Sequence, residues 1–534
     1  MEFSFAGYTS FYFIPFFILT FIGYWVTPKR YRYITLLVFS LLFYGLISWK
    51  SLFFIAFTIV SMYFFSRKIS DNLKNQKEYI QAHKAEMTLD QKKEYKAKQK
   101  KTRKTYLILA IVLNVLMLAV MKYTDFMIGN VNGIIHWFNK DVSLRMLNLF
   151  LPLGISFFVF QAIGYIVDVY WQKIEAETNF LKFALFLSYF PKVMQGPIVR
   201  YEEMKETLFG GHDFDYDQVM DGLKRTLYGY MKKLVIADTL VAFIKFGFNN
   251  PLELSGLEAL LVVVFYFIQD YCDFSGYMDI SIGLSNSLGI VLPENFNHPY
   301  FAIGIDDYWR RWHSTLGSWF KDYIFYPISI SKFSLKLGKA SKKVFKEFGK
   351  KIPAIFGLLV VWFITGLWHG ASWNYVLWGL YYGVIIILSV CFQPLINKFY
   401  EKTNCRNNVF WIIFQHIRTL FLLFVGKILF MAPSLQDAWN LFLKCFDFKN
   451  YVDITNINNQ LGYISMIAAL LFTIVVFVVD LIQEIKPQTT FLQKFDSKPL
   501  WLQWSLLILL AVCVIWFGFY GSGLPHYDFG YIQF

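Results

Sequence analysis

Residues 353–397 read PAIFGLLVVWFITGLWHGASWNYVLWGLYYGVIIILSVCFQPLIN. Two apolar runs, 353–368 and 372–397, meet at Gly366-Leu367-Trp368-His369-Gly370. Lys350 and Lys351 precede the first run, and Lys398, Lys402 and Arg406 follow the second. Basic residues collect on the cytoplasmic side of membrane helices, so both feet of the pair are expected on that side. About eighteen helical residues rise roughly 27 Å, close to the ~30 Å hydrocarbon core. His369 is therefore expected at the tip of a hairpin, deep in the membrane or toward its outer face. An ionisable side chain at that depth is costly and points to function. The other reading is a histidine that only packs and hydrogen-bonds a neighbouring helix. The flanking Gly366 and Gly370 favour chemistry, because they remove side chains from around the imidazole and give a substrate a close approach.

The rest of the chain repeats the pattern. Apolar segments run over 11–27, 33–48, 50–66, 105–123, 148–171, 180–199, 225–248, 257–290, 409–432, 461–483 and 500–520. Of the 534 residues 56% are hydrophobic, 20% aromatic and only 16% charged, against about 25% charged in soluble domains. A soluble multi-domain chain is excluded. Some runs fall short of the ~20 residues of an upright crossing and suit re-entrant segments shielded by protein. The expected fold is all-α: one polytopic membrane domain over 1–534 with about eleven transmembrane helices, plus re-entrant and interfacial ones. The net charge of +14 marks cytoplasmic loops rather than a nucleic-acid surface. The five cysteines, Cys272, Cys391, Cys405, Cys445 and Cys513, form no CxxC pair, so no metal is expected.

Two loops set the topology. Residues 67–104 hold thirteen Lys/Arg against five Asp/Glu, and residues 331–352 hold eight Lys against one Glu. Both are expected in the cytoplasm, the first as a solvated helical hairpin with Glu94 and Lys98 one turn apart. Counting spans from these loops puts the N-terminus outside, and the 484–499 loop puts the C-terminus outside too.

A second histidine stands in Asp306-Asp307-Tyr308-Trp309-Arg310-Arg311-Trp312-His313-Ser314-Thr315-Leu316. Residues 306–323 read as one amphipathic helix with Asp306 as N-cap. Trp309, His313, Leu316 and Phe320 fall on one face. Taken alone, His313 is as well explained by an interfacial aromatic belt as by chemistry. Arg310 and Arg311 suit lipid phosphate or pairing with Asp306 and Asp307. Asp273, Asp279 and Asn286 suit polar contacts between helices.

Five blocks now acquire meaning together: LPLGISFFVFQAIGYIVDVY (151–170), FPKVMQGPIVRY (190–201), QDYCDFSGYMDISIGLSNSLGI (269–290), NFNHPYFAIGIDDYWRRWHSTLGSWFKDYIFYP (295–327) and GLWHGASWNYVLWGLYYG (366–383). In this order they resemble the membrane-bound O-acyltransferases of the alginate O-acetylase type, and more distantly the D-alanine transferases of teichoic acid. The resemblance makes 151–383 the catalytic core. It implies a ring of tilted helices around a thinned centre, with a funnel outside and a tunnel to the cytoplasm. It carries the family's catalytic histidine to His369 and its second histidine to His313. The basic insert at 67–104 is longer than the family pattern, and His298 falls in a variable slot to which no role is given.

The chemistry expected is acyl transfer. An alcohol needs a base within hydrogen-bond reach as it attacks a carbonyl, and neutral histidine supplies one near pH 7; His369 is expected to be that base or to activate the acceptor of an acyl relay. The resemblance implies a thioester donor on the cytoplasmic side, acetyl-CoA or carrier-bound, with no permanently bound cofactor. It implies a polysaccharide acceptor outside and an extracytoplasmic partner protein that completes the transfer. Trp368, Trp373 and Asn374 are candidates to line the tunnel. The alternatives are D-alanyl transfer to teichoic acid and, from a different class, a transporter, which predicts repeat symmetry and paired broken helices that the sequence lacks.

Overall fold

The computed structural model describes residues 7–138, 142–449, 451–487 and 491–518. Among these residues the regular elements are all helical, and Phe296 and Trp312 form an isolated antiparallel bridge. The chain divides into two compact units, residues 1–219 with 285–292, and residues 220–284 with 293–534.

In the first unit, the first four α-helices are α1 (Phe13–Val26), α2 (Arg32–Ala82), α3 (Leu89–Phe138) and α4 (Ile155–Tyr170). The runs 33–48 and 50–66 lie within α2 and meet at Ser48, whose φ of −156° and ψ of 93° break the helical path. Ser48 and Ser51 pair their hydroxyls at 2.8 Å, and the Leu153 N–H donates to Ser51 Oγ at 3.2 Å. Beyond the kink α2 runs without pause from the apolar stretch into the basic one. With the start of α3 it makes the helical hairpin expected over 67–104. Polar side chains tie its two arms together: Asn72 donates to Gln99 at 2.6 Å, and Arg103 donates to Asn72 and Gln76 at 2.9 and 2.7 Å. Most of the lysines face outward. Helix α4 differs in kind, because every residue from Phe157 to Val169 is buried. A short helix apolar on all sides belongs inside protein.

The second unit contains α5 (Asp238–Asn249), α6 (Gly256–Ser287) as far as Leu284, α7 (Ile305–Arg311), α8 (Ser314–Phe320), α9 (Lys332–Phe345), α10 (Ile352–His369), α11 (Trp373–Thr403), α12 (Val409–Met431), α13 (Tyr463–Ile485) and α14 (Leu500–Phe517). The basic segment 331–352 folds as α9 and a 3-10 turn, Lys346–Lys351, at the foot of α10. A Cβ on Gly338 of α9 would stand 2.7 Å from Pro353 Cγ, so the two elements touch closely there. Phe333, Leu335, Val344 and Phe345 are exposed among the lysines, the composition of a helix lying in a membrane interface.

Among the described residues, seven helices are long and apolar enough to cross a membrane: Lys29–Ala82, Leu89–Phe138, Lys332–His369, Trp373–Thr403, Val409–Met431, Tyr463–Ile485 and Leu500–Phe517. The other runs behind the expectation of about eleven crossings fall outside that measure of length and composition. Phe13–Val26 and Ile155–Tyr170 are shorter apolar helices. The run 180–199 breaks at Tyr189-Phe190-Pro191. The run 225–248 passes through a π-helical turn, Met231–Ala237, that carries Lys232 and Lys233. The run 257–290 holds Asp270, Asp273 and Asp279 inside α6. Together these make an all-α polytopic membrane protein.

Candidate active site

The tip of the hairpin is built by close backbone approach. Helix α10 ends at His369, Gly370 is extended, and Ser372 caps α11 by accepting the Asn374 N–H at 3.3 Å. A Cβ on Gly366 would lie 2.4 Å from the Tyr375 carbonyl oxygen, and one on Gly379 would lie 2.4 Å from that of Trp362. The space beside Gly370 is filled by the Tyr375 ring, 2.3 Å from where a Cβ would stand. This corrects the sequence reading of these glycines: they let α10 and α11 pack backbone to backbone, and the room they leave is taken by the hairpin's own second arm.

His369 is 4% exposed. The rings that stand edge-on to its imidazole include Trp378 at 4.7 Å, Trp368 at 4.8 Å and Phe430 at 5.2 Å between centroids. Such a walled site excludes water and strengthens any electrostatic interaction within it.

His313 is also buried, 3% exposed, though not on a helix face. The single amphipathic helix expected over 306–323 is two seven-residue helices, α7 and α8, separated at Trp312 and His313. Trp312 is extended and bridges Phe296, while His313 takes the left-handed conformation at φ 47° and ψ 49°. The strand-like segment 295–297 pulls the chain out of the helix: Asn297 N–H donates to Arg311 O at 2.9 Å and Ser314 N–H to Asn295 O at 3.0 Å. The expected N-cap also moves, since Gly304 precedes α7 and Asp306 lies in its first turn. His313 packs edge-on against Phe274 at 4.8 Å and faces Trp368 at 6.0 Å. The indole of Trp368 thus lies against both histidines, and these two residues, 56 positions apart in sequence, share one aromatic partner. Burial pushes the His313 imidazole, which lies outside the membrane-spanning helices, below its ordinary pKa, because a charged ring loses its hydration there.

The other candidates fall differently. Trp373 is 56% exposed at the start of α11. Asn374 is buried and donates from Nδ2 to Ala432 O at 2.7 Å, tying α11 to the end of α12. Arg310 pairs with Asp307 at 3.4 Å and Asp306 at 3.7 Å, and Arg311 with Asp307 at 3.2 Å and Glu484 at 2.8 Å. Trp309 meets Trp362, Trp378 and Tyr382 edge-on at 5.0–5.5 Å, docking α7 on the hairpin.

The sequence reading missed the cations opposite the α6 carboxylates. Lys233 reaches Asp273 at 2.6 Å and Asp238 at 2.8 Å; Lys232 reaches Asp279 at 2.9 Å, and Arg225 reaches it at 3.0 Å. Lys427 pairs with Asp270. Each cation sits in an apolar-looking run, and its carboxylate lies on another element, so only folding reveals the match. His298, given no role, lies 3.3 Å from Asp480, which accepts from the Tyr271 hydroxyl at 2.7 Å. Among the described residues no group of three or more His, Cys, Asp or Glu is placed to hold a metal.

The model of the membrane-bound O-acyltransferase family matches residues 174–426. A probable alginate O-acetylase, AlgI, of Pseudomonas aeruginosa is 30% identical over 448 residues, 83% of this chain and 75% of the relative. The chain belongs to the membrane-bound O-acyltransferase family. Two further relatives of this O-acyltransferase match over shorter stretches. A peptidoglycan O-acetyltransferase of Helicobacter pylori is 34% identical over 56% of this chain and 58% of its own length. A teichoic acid D-alanyltransferase of Bacillus subtilis is 28% identical over 48% and 61%. The family match over 174–426 includes His313, Trp368 and His369.

Proposed function

We propose that this O-acyltransferase moves an acetyl group from a cytoplasmic thioester, acetyl-CoA or a carrier-bound form, to hydroxyls of an extracytoplasmic polysaccharide, with His369 as the base. The observation that carries the reading is the pair of buried histidines that share the Trp368 indole as a ring partner, in a chain whose relatives include O-acetylases of alginate and peptidoglycan. As the alcohol oxygen bonds to the acyl carbon, its proton passes to the His369 imidazole. The carbon–sulfur bond then breaks, and the proton leaves with the thiolate as free thiol. Aromatic walls keep water from competing with the alcohol. The acyl group crosses while its carrier stays in the cytoplasm, which is why the enzyme spans the membrane. Both termini lie outside in this arrangement, and an extracytoplasmic partner protein completes the transfer to polymer.

The test is base-labile ester in the cell-envelope polysaccharide, measured by mass spectrometry with and without the gene. Acetate should be released from wild-type envelopes and be missing from the deletion. Complementation with His369→Ala should fail by about 10²–10⁴-fold although the protein reaches the membrane. Full restoration by that variant would remove His369 from the chemistry. The match to a D-alanyltransferase supports the second reading: D-alanine released in place of acetate would exchange one acyl group for the other.

A further inference from the structure

The side chain of Asn295 is fully buried, and its neighbours fix which way it points. Its Oδ1 receives the Thr315 backbone N–H at 3.2 Å and the Thr315 hydroxyl at 2.9 Å. A backbone N–H only donates, so the atom facing it is the amide oxygen. The amide nitrogen turns the other way, 3.2 Å from Met278 Sδ. The same Oδ1 lies 3.1 Å from His313 Nδ1. A carbonyl oxygen can only accept there, so Nδ1 carries the proton. A neutral imidazole has one N–H, and its electron pair then belongs to Nε2. The backbone is pinned at the same place, through the Ser314 N–H on Asn295 O at 3.0 Å and the left-handed turn at His313. One residue therefore sets both the position of the ring and the location of its proton.

We propose that Asn295 is a positioning residue that holds His313 as the Nδ1–H tautomer, so that this histidine meets substrate through Nε2 as a hydrogen-bond acceptor. The inference rests on reading His313 as part of the reaction centre, and it narrows that reading. Of the roles open to a second histidine, orienting or acidic partner, the neutral ring keeps the first. With its proton committed to Asn295 it has none at Nε2 to give to an acyl oxygen. His313 orients the polysaccharide acceptor by taking a hydrogen bond from a hydroxyl beside the reacting one, whose own single proton passes to His369.

The test uses full-length protein with 15N-labelled histidine in lipid nanodiscs, the His313 resonances being identified by their loss in His313→Gln. Wild type should show a protonated Nδ1 and a bare Nε2. Asn295→Asp, which still offers an oxygen, should keep Nδ1 protonated, and Asn295→Leu should lose that bias. A wild-type ring protonated at Nε2 overturns the proposal. In complementation, ester in the envelope polysaccharide should fall between about tenfold and a hundredfold with Asn295→Leu and recover with Asn295→Asp. Unimpaired transfer by Asn295→Leu overturns the positioning role. Full transfer by His313→Gln would instead overturn the reading of the site and leave the tautomer result standing.

Discussion

Gly366→Ala is the substitution that most directly tests how the hairpin holds His369. The added methyl would stand 2.4 Å from the Tyr375 carbonyl oxygen, 2.9 Å from Val376 Cα and 3.1 Å from the Tyr375 carbonyl carbon, where ordinary contact begins at 3.4 Å. All three atoms are backbone, so no side chain can swing aside. The arms α10 and α11 must part by about 1 Å, at a cost of about 1–3 kcal/mol. His369 follows one turn later on the same helix and moves with it. A shift of about 1 Å at a reacting group lowers the rate by about 10²-fold. The assay is ester content of the envelope polysaccharide on complementation, read beside the thermal melt of the purified protein. Gly133→Ala is the control, because a Cβ there meets nothing within 4 Å; it should keep both activity and melting temperature. If Gly366→Ala behaves like the control, the hairpin is not a rigid mount for His369.

Lys233→Met should leave Asp238 and Asp273 buried without their cation, a loss of about 3–5 kcal/mol seen as little monodisperse protein in detergent; changing both carboxylates to Asn in the same background should restore much of it. Asn374→Leu should lower the melting temperature by removing the bond to Ala432, a loss of about 1 kcal/mol, whereas Trp373→Ala at an exposed position should leave it unchanged; a fall in transfer by the tryptophan variant alone would give that ring a substrate role. Burial holds the folded pKa of His313 below the unfolded value of about 6.5. The stability tied to its neutral form is therefore full above that value and is lost as pH falls toward the lowered one. Melts of wild type should weaken more between about pH 7 and pH 5 than those of His313→Gln, and parallel curves would contradict the assignment.

The class of the molecule was legible because a membrane writes itself into sequence. A bilayer demands long apolar runs and gathers lysine on one side, and both are local properties of the chain. The same logic found the 67–104 hairpin, the paired runs 353–368 and 372–397, and His369 at their junction. Five motif blocks in order named the family and both histidines. Other features depended on contacts between distant residues. Trp312 and His313 leave the helix because segment 295–297 bonds to the backbone of Arg311 and Ser314 on either side of them, and no periodicity count within 306–323 contains that competitor. Gly366 and Gly370 looked like space for a substrate until Tyr375 filled it. Lys232, Lys233 and Lys427 are tolerable in apolar surroundings only because carboxylates of α5 and α6 meet them, and a one-dimensional reading sees each charge without its partner. Sequence determined which solvent this protein lives in and which residues are candidates for its chemistry; the tertiary structure decided which of them touch, because burial and hydrogen bonding act across space, not along the chain.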